Sequence, residues 1–101
     1  MADESMQVAQ AILEQLGGRR FLAMTGATHL MCLEQGLQFS LPRCKDGINK
    51  VRVILTPVDT YVVEFWHVRG SECRLIESVD DVYCDTLAEV FEDRTNLATS
   101  L

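Results

Sequence analysis

The residue types that most often perform catalysis are few in this chain of 101 residues. The only histidines are His29 and His67, and Glu64 lies three residues before His67. Residues three apart on a strand point to opposite faces, so these two side chains do not converge. A nucleophile needs a base and an orienting group within hydrogen-bond reach, and no motif supplies them. The sequence therefore favours a non-enzymatic protein, and a small enzyme of unknown reaction stays open as an alternative.

The four cysteines do not follow a metal-binding pattern. Cys32, Cys44, Cys73 and Cys84 include no C-x-x-C pair, and His29-x-x-Cys32 has no second pair of ligands elsewhere. Cysteine also serves as a small buried apolar residue. We expect free thiols and no cofactor, with a metal site or disulfides as lesser alternatives.

Acidic charge is concentrated near the end of the chain. The net charge is −6, and residues 75–101 hold seven acidic residues against one basic residue. On a helix, Asp81, Asp85, Glu89 and Glu92 would line one face. Like charges at that spacing cost about 0.2–0.5 kcal/mol per pair, so local stability does not favour them. We interpret them either as a solvated face or as an anionic surface for a protein with a basic surface.

Basic charge is concentrated in the middle of the chain. Arg43, Lys45, Lys50 and Arg52 surround an Asp46-Gly47 turn signal. A basic hairpin of this kind can contact phosphates, which makes a nucleic-acid-binding accessory protein an alternative function. In a chain this acidic, a charged turn that keeps the sheet soluble is the favoured interpretation.

These charges must be positioned by helices and strands, and the clearest strand signal lies in residues 47–70. This segment predicts two strands around a turn at residues 56–59. Both strands are interpreted as apolar on both faces, and Trp66 lies on the face opposite Phe65. Two helices can cover only one face of the sheet, so the other needs a cover. We expect Trp66 to contact a partner and the sheet to form a homodimer; the alternative is a sheet curled enough to bury both of its faces.

The remaining patterns predict an α+β fold, an antiparallel sheet of four or five strands flanked by an N-terminal and a C-terminal helix. The first helix spans residues 5–16 and ends at Gly17-Gly18. The last spans residues 79–95, begins at a capping box over residues 78–81 and ends at Asn96. Tyr83, Leu87, Val90 and Phe91 form its apolar stripe. The strands of this sheet are expected among six candidate segments, residues 20–24, 29–33, 37–41, 50–56, 60–69 and 72–77.

Length and composition favour one cytoplasmic domain. A chain of 101 residues fits a single domain. Its acidic first residues lack the basic start and cleavage site of a signal peptide. No apolar run approaches the roughly 20 residues that span a bilayer, so we expect no membrane partner.

Several short sequence segments together resemble a known family. They are GGRRF (17–21), AMTGA (23–27), LQFSLP (37–42), GIN (47–49), DTY (59–61), EF (64–65), RG (69–70), VY (82–83) and FE (91–92). Over nearly its whole length the chain resembles a family of small phage and prophage proteins of unknown function. The resemblance implies a mobile-element origin in a bacterium and assigns no catalytic residues. We therefore expect a protein that binds a host or phage protein and inhibits a host defence or nucleic-acid-handling complex.

Overall fold

A single antiparallel sheet with helices against one of its faces makes up the fold. The computed structural model describes residues 4–42, 47–97 and 99. The α+β class predicted from the sequence is confirmed, with five strands in the sheet. The elements are α1 (Glu4–Leu16), α2 (Gly18–Thr25), β1 (Thr28–Leu33), β2 (Gly36–Ser40), β3 (Lys50–Leu55), β4 (Tyr61–Arg69), β5 (Glu72–Val82) and α3 (Leu87–Thr95).

The strands follow one another across the sheet in chain order, from β1 to β5. Each neighbouring pair is antiparallel, as the short connections require. The loop after β3 sets the register of the central hairpin, which pairs Leu55 with Tyr61 and, further along, Arg52 with Glu64. The register shifts in two places between β4 and β5, so β5 carries extra residues there.

The core lies between the helices and one face of the sheet. Leu37, Phe39 and Leu41 alternate toward it, as predicted from their period of two. Phe39 joins Phe21 of α2 and Phe91 of α3 in a cluster whose ring centroids are 5.2–6.0 Å apart. Edge-to-face aromatic contacts of this kind add about 0.5–1.5 kcal/mol each beyond the area they bury. The cluster therefore joins both short helices to the sheet.

The strand predicted at residues 20–24 is wrong, because these residues belong to α2. Phe21 and Thr25 lie four residues apart, which is one helical turn, and both are buried. The Thr25 hydroxyl donates to the Phe21 carbonyl at 2.7 Å. Gly26 then takes the left-handed conformation and donates its N–H to the Leu22 carbonyl at 2.9 Å, which ends the helix.

The long helix predicted at residues 79–95 is also wrong in its first half. Strand β5 continues to Val82, and α3 begins only at Leu87. Val79 pairs with Val63, and Val82 pairs with Tyr61 and is buried. These apolar contacts outweigh the capping-box pattern at residues 78–81, which is not formed.

The second half of that prediction is correct. Leu87 and Phe91 are buried, and Val90 packs against the core, whereas Tyr83 is 58% exposed and does not belong to the stripe. Asn96 ends α3 in the left-handed conformation, as predicted.

Candidate partner-binding surfaces

The face of the sheet that the helices do not cover is the first candidate surface. We call it the open face. On the three central strands the side chains of this face are half-buried, whereas most positions of the other face are buried. The open face comprises Met31, Leu33, Gln38, Ser40, Lys50, Arg52, Ile54, Val62, Glu64, Trp66, Val68, Cys73, Leu75 and Ser78.

Trp66 lies in the second half of β4 on the open face, as its position in the strand predicts. Its indole Nε1 donates to Glu64 Oε1 at 3.1 Å, which holds the ring along the strand. The side chain of Asn49 fixes this end of β4, because it donates to the Val68 carbonyl and accepts from the Val68 N–H, both at 2.8 Å. The tryptophan is therefore presented on a rigid strand rather than on a loop.

A shallow depression of about 190 Å³ lies beside this tryptophan. Trp66 and Val68 supply its apolar part, and Lys50 and Arg52 supply positive charge. Sequence analysis assigned the tryptophan and the basic residues to different functions, but the structure places them on one surface. Its lining is Gln38, Lys50, Arg52, Trp66, Val68 and Cys73.

Arg52 has one long ion pair among the described residues. Its Nη1 lies 4.0 Å from Glu64 Oε1, which is an ion pair but too long for a hydrogen bond. Its Nε is buried and has no acceptor among the described residues. The Arg52 side chain is 38% exposed, so the outer part of its guanidinium is accessible to a further anionic partner.

The acidic residues predicted to share one helix face do not do so. Asp81 lies at the end of β5 with a positive φ of 56°, and Asp85 lies in the turn that precedes α3. Only Glu89 and Glu92 are in the helix. The prediction failed because it required a helix through residues 79–86, where β5 and a turn are found instead.

Glu92 has a structural role instead of facing a partner. Its Oε2 accepts from the Thr99 N–H at 2.7 Å and from the Thr99 hydroxyl at 3.0 Å. The other three acidic residues are exposed, and Asp80 beside them is exposed as well. We call Asp80, Asp81, Asp85 and Glu89 the acidic turn, since they follow one another from the end of β5 to the first turn of α3.

The basic residues of the alternative function are only partly placed. Lys50 and Arg52 lie on β3 and face outward on the open face. Arg43 and Lys45 fall outside the described residues. The two described members of the predicted basic cluster lie beside Trp66.

The histidines do not meet in a catalytic arrangement. His67 Nδ1 donates to the Gly47 carbonyl at 2.7 Å, which joins β4 to the start of the β3 segment. His29 Nδ1 lies 3.0 Å from the hydroxyl of its neighbour Thr28. In the described part of the chain no three histidine, cysteine or acidic side chains converge as metal ligands would.

Among those same residues, no helix has the length and apolarity to cross a membrane.

Sequence reasoning missed the pairing of Arg52 with Glu64, although a signal for it was present. The predicted turn at residues 56–59 places the centre of the hairpin near Val58, and residues equally distant from that centre face each other. Counting outward reaches Arg52 and Glu64, and then Lys50 and Trp66.

Comparison with known proteins gives no relative. No family model matches the chain, and neither a curated protein nor a solved structure resembles it significantly.

Proposed function

We propose that this protein is a non-enzymatic binding module, of phage or prophage origin as the sequence resemblance implies, that acts on a protein in the bacterial cytoplasm. The acidic turn binds a basic surface of that protein, and the open face supplies an apolar contact surface centred on Trp66. By covering a basic surface, the module inhibits a complex that handles nucleic acid or defends the host.

One observation carries this proposal: a sheet face left uncovered by the helices, where apolar side chains lie among charged ones, meets an acidic segment at the end of β5. Asp80 lies two residues beyond Ser78, the last open-face position of β5, so the two surfaces adjoin. Proteins seldom expose large contiguous apolar areas unless these bind something. Complementary charge beside such an area steers encounter with a partner and excludes wrong ones.

Affinity capture from expressing bacterial cells tests the acidic turn. Reversing two of its charges in Asp85→Lys/Glu89→Lys is expected to release the captured protein, since the substituted segment repels a basic surface. Capture by the wild type is expected to weaken with added salt, because exposed charges are screened.

The matched control is Glu14→Lys/Glu72→Lys, which changes charge equally at two exposed positions outside the acidic turn. This control is expected to retain the partner. If the acidic-turn variant folds and captures the same protein in the same amount, the proposed role of the acidic turn is wrong.

The depression beside Trp66 favours a second candidate function, the binding of single-stranded nucleic acid. An aromatic ring beside basic side chains can stack a base and neutralise its phosphate, a contact that contributes about 1–3 kcal/mol per base. Gel shift at low salt tests it. Lys50→Ala/Arg52→Ala should abolish a genuine shift, whereas Arg19→Ala/Arg20→Ala, on the exposed side of α2, should not. The absence of any shift by the wild type eliminates this function.

A further inference from the structure

We propose that a second copy of this chain covers the open face, forming a symmetric dimer whose two-fold axis runs parallel to the strands, between β3 and β4. The inference rests on the proposed function in treating the open face as a contact surface, and it assigns that face to the second copy, so that the dimer binds the other protein through its acidic turns. It leaves both acidic turns available for the other protein.

The register of the central hairpin makes this face complementary to itself. Three cross-strand pairs lie along it, namely Lys50 with Trp66, Arg52 with Glu64, and Ile54 with Val62. Rotation about an axis between these strands places β3 of the second copy over β4 of the first copy, and β4 over β3. Each residue of a cross-strand pair therefore faces its own pairing residue from the second copy, as an isologous interface requires.

Each of the three resulting contacts is favourable. Lys50 lies over Trp66 of the second copy, an arrangement in which an ammonium group is attracted to the face of an indole ring. Arg52 meets Glu64 of the second copy, and Ile54 meets Val62. Packed sheets cross at about 30°, and these pairs lie near the centre, where the crossing displaces them little.

The charges also select this axis over the alternative. A two-fold axis across the strands would place Arg52 against Arg52 and Glu64 against Glu64. Like charges desolvated against each other oppose association. The chosen axis instead places the accessible part of the Arg52 guanidinium opposite the Glu64 carboxylate of the second copy.

The overlapping area fits a weak dimer. With this axis β2 to β5 overlap and β1 lies outside; four strands spaced about 4.8 Å apart span roughly 19 Å. β3 faces β4 of the second copy and β2 faces β5, so the shorter strand of each facing pair, with six and five residues, limits the overlap to a length of about 18 Å. This gives about 350 Å² per copy and about 700 Å² in total, less than the roughly 1,000 Å² of a stable interface, so we expect a dimer that forms at high concentration and dissociates on dilution.

The net charge of the chain does not oppose this contact. The open face carries Lys50, Arg52 and Glu64, with Asp80 at its rim, and is close to neutral in a chain of net charge −6. The β5 strands of the two copies would lie three strand spacings apart laterally and one sheet spacing apart vertically, roughly 17 Å in all. This exceeds the Debye length of about 8 Å at physiological salt, so the acidic turns repel each other weakly.

Sedimentation of the purified full chain at several concentrations tests the dimer. The wild type is expected to reach twice its monomer mass of 11.4 kDa at high concentration. Arg52→Glu and Glu64→Arg each place like charges opposite each other, so each is expected to halve the mass. The double variant Arg52→Glu/Glu64→Arg restores opposite charges in both copies and is expected to restore the dimer.

Arg94→Glu is the control, because it breaks the ion pair with Glu77 near α3 and not on the open face, and it should leave the mass unchanged. Trp66 is the only tryptophan, so its emission should shift to longer wavelength when the wild type is diluted. This readout needs no variant to fold.

A wild type that keeps its monomer mass at every concentration overturns the proposal, as does a folded double variant that stays monomeric while the wild type dimerises. Quenching of Trp66 by an oligonucleotide with no doubling of mass assigns the open face to nucleic acid instead. These outcomes concern the purified chain alone, so they are independent of capture through the acidic turn.

Discussion

At the scale of single residues, two buried threonines end two helices in the same way. The Thr25 hydroxyl donates to the Phe21 carbonyl and accepts from the Ala27 N–H, at 2.7 and 3.2 Å. The Thr95 hydroxyl does the same with the Phe91 carbonyl and the Leu97 N–H, at 2.8 and 3.3 Å. Each threonine thus satisfies a backbone N–H just beyond the end of its helix, where helical bonding stops.

Thr25→Val and Thr95→Val test this role. Valine keeps the shape of threonine but removes the hydroxyl, which leaves an N–H without its acceptor. We expect each variant to lose about 1–3 kcal/mol of the free energy of unfolding, measured by urea denaturation. Thr28→Val, at an exposed position on β1, is the control and should change stability by less than about 0.5 kcal/mol. Equal stability of all three variants would contradict the assigned role.

At the scale of elements, the central hairpin and its neighbour β2 show how closely two strands approach. Gly36 begins β2 and pairs with Ile54 of β3. A Cβ atom at Gly36 would lie 2.1 Å from the Val53 carbonyl oxygen, a distance no real contact allows. The close approach of these two backbones therefore requires glycine, independently of any special dihedral angle.

Gly36→Ala is expected to destabilise the protein by about 1–3 kcal/mol, because a backbone carbonyl must move to admit the methyl group. Thermal unfolding measures the loss. Gly70→Ala is the contrasting variant: its Cβ would meet nothing within 4 Å, so only the cost of its positive φ of 60° applies. A Gly36→Ala variant as stable as the wild type would show that β2 and β3 separate readily.

Also at the scale of elements, α2 illustrates a signal that a search for periodicity overlooks. Phe21-x-x-x-Thr25-Gly26 and Phe91-x-x-x-Thr95-Asn96 share one pattern, a buried aromatic residue, a threonine four residues later and a residue that accepts the left-handed conformation. By itself the segment at residues 20–24 predicts a strand, whereas its similarity to residues 91–96, which end the last helix, predicts a helix at both places.

At the scale of the whole molecule, Tyr61 connects distant parts of the chain. It pairs with Val82, and its pKa is raised above 10.0, mainly because burial disfavours the phenolate and also because Cys84 and Asp59 lie nearby. A hydrogen bond with the Gln15 side chain lowers the pKa in opposition. The tyrosine thus joins α1, the turn before β4 and the turn before α3.

The raised pKa predicts a dependence of stability on alkaline pH. A folded pKa above the unfolded value stabilises the protein below pH 10, and this contribution is lost as pH rises from 10 through the folded pKa. We expect the free energy of unfolding to fall over this range in the wild type. The fall should be smaller in Tyr61→Phe and unchanged in Tyr83→Phe, whose ring is exposed. The same fall in both variants would contradict the role of Tyr61.

The sequence by itself determined the class of fold and most of the sheet. Alternation at Leu37, Phe39 and Leu41 and the turn before Thr60 carry strand signals that are local, so periodicity and turn chemistry were enough. The ends of the first and last helices follow from Gly17 and Asn96, which readily take the backbone conformations that stop a helix. This preference is likewise local.

Only the tertiary structure decided the length of β5, the nature of α2 and the arrangement of the charges. Residues 79–82 form a strand because Val63 and Tyr61, far away in the sequence, pair with them, and this pairing overrides a local helix signal. The same pairing moves Asp81 and Asp85 off the expected helix face and places Arg52, Glu64 and Trp66 on one surface. Local preferences select elements, whereas contacts between distant residues select the faces that those elements present.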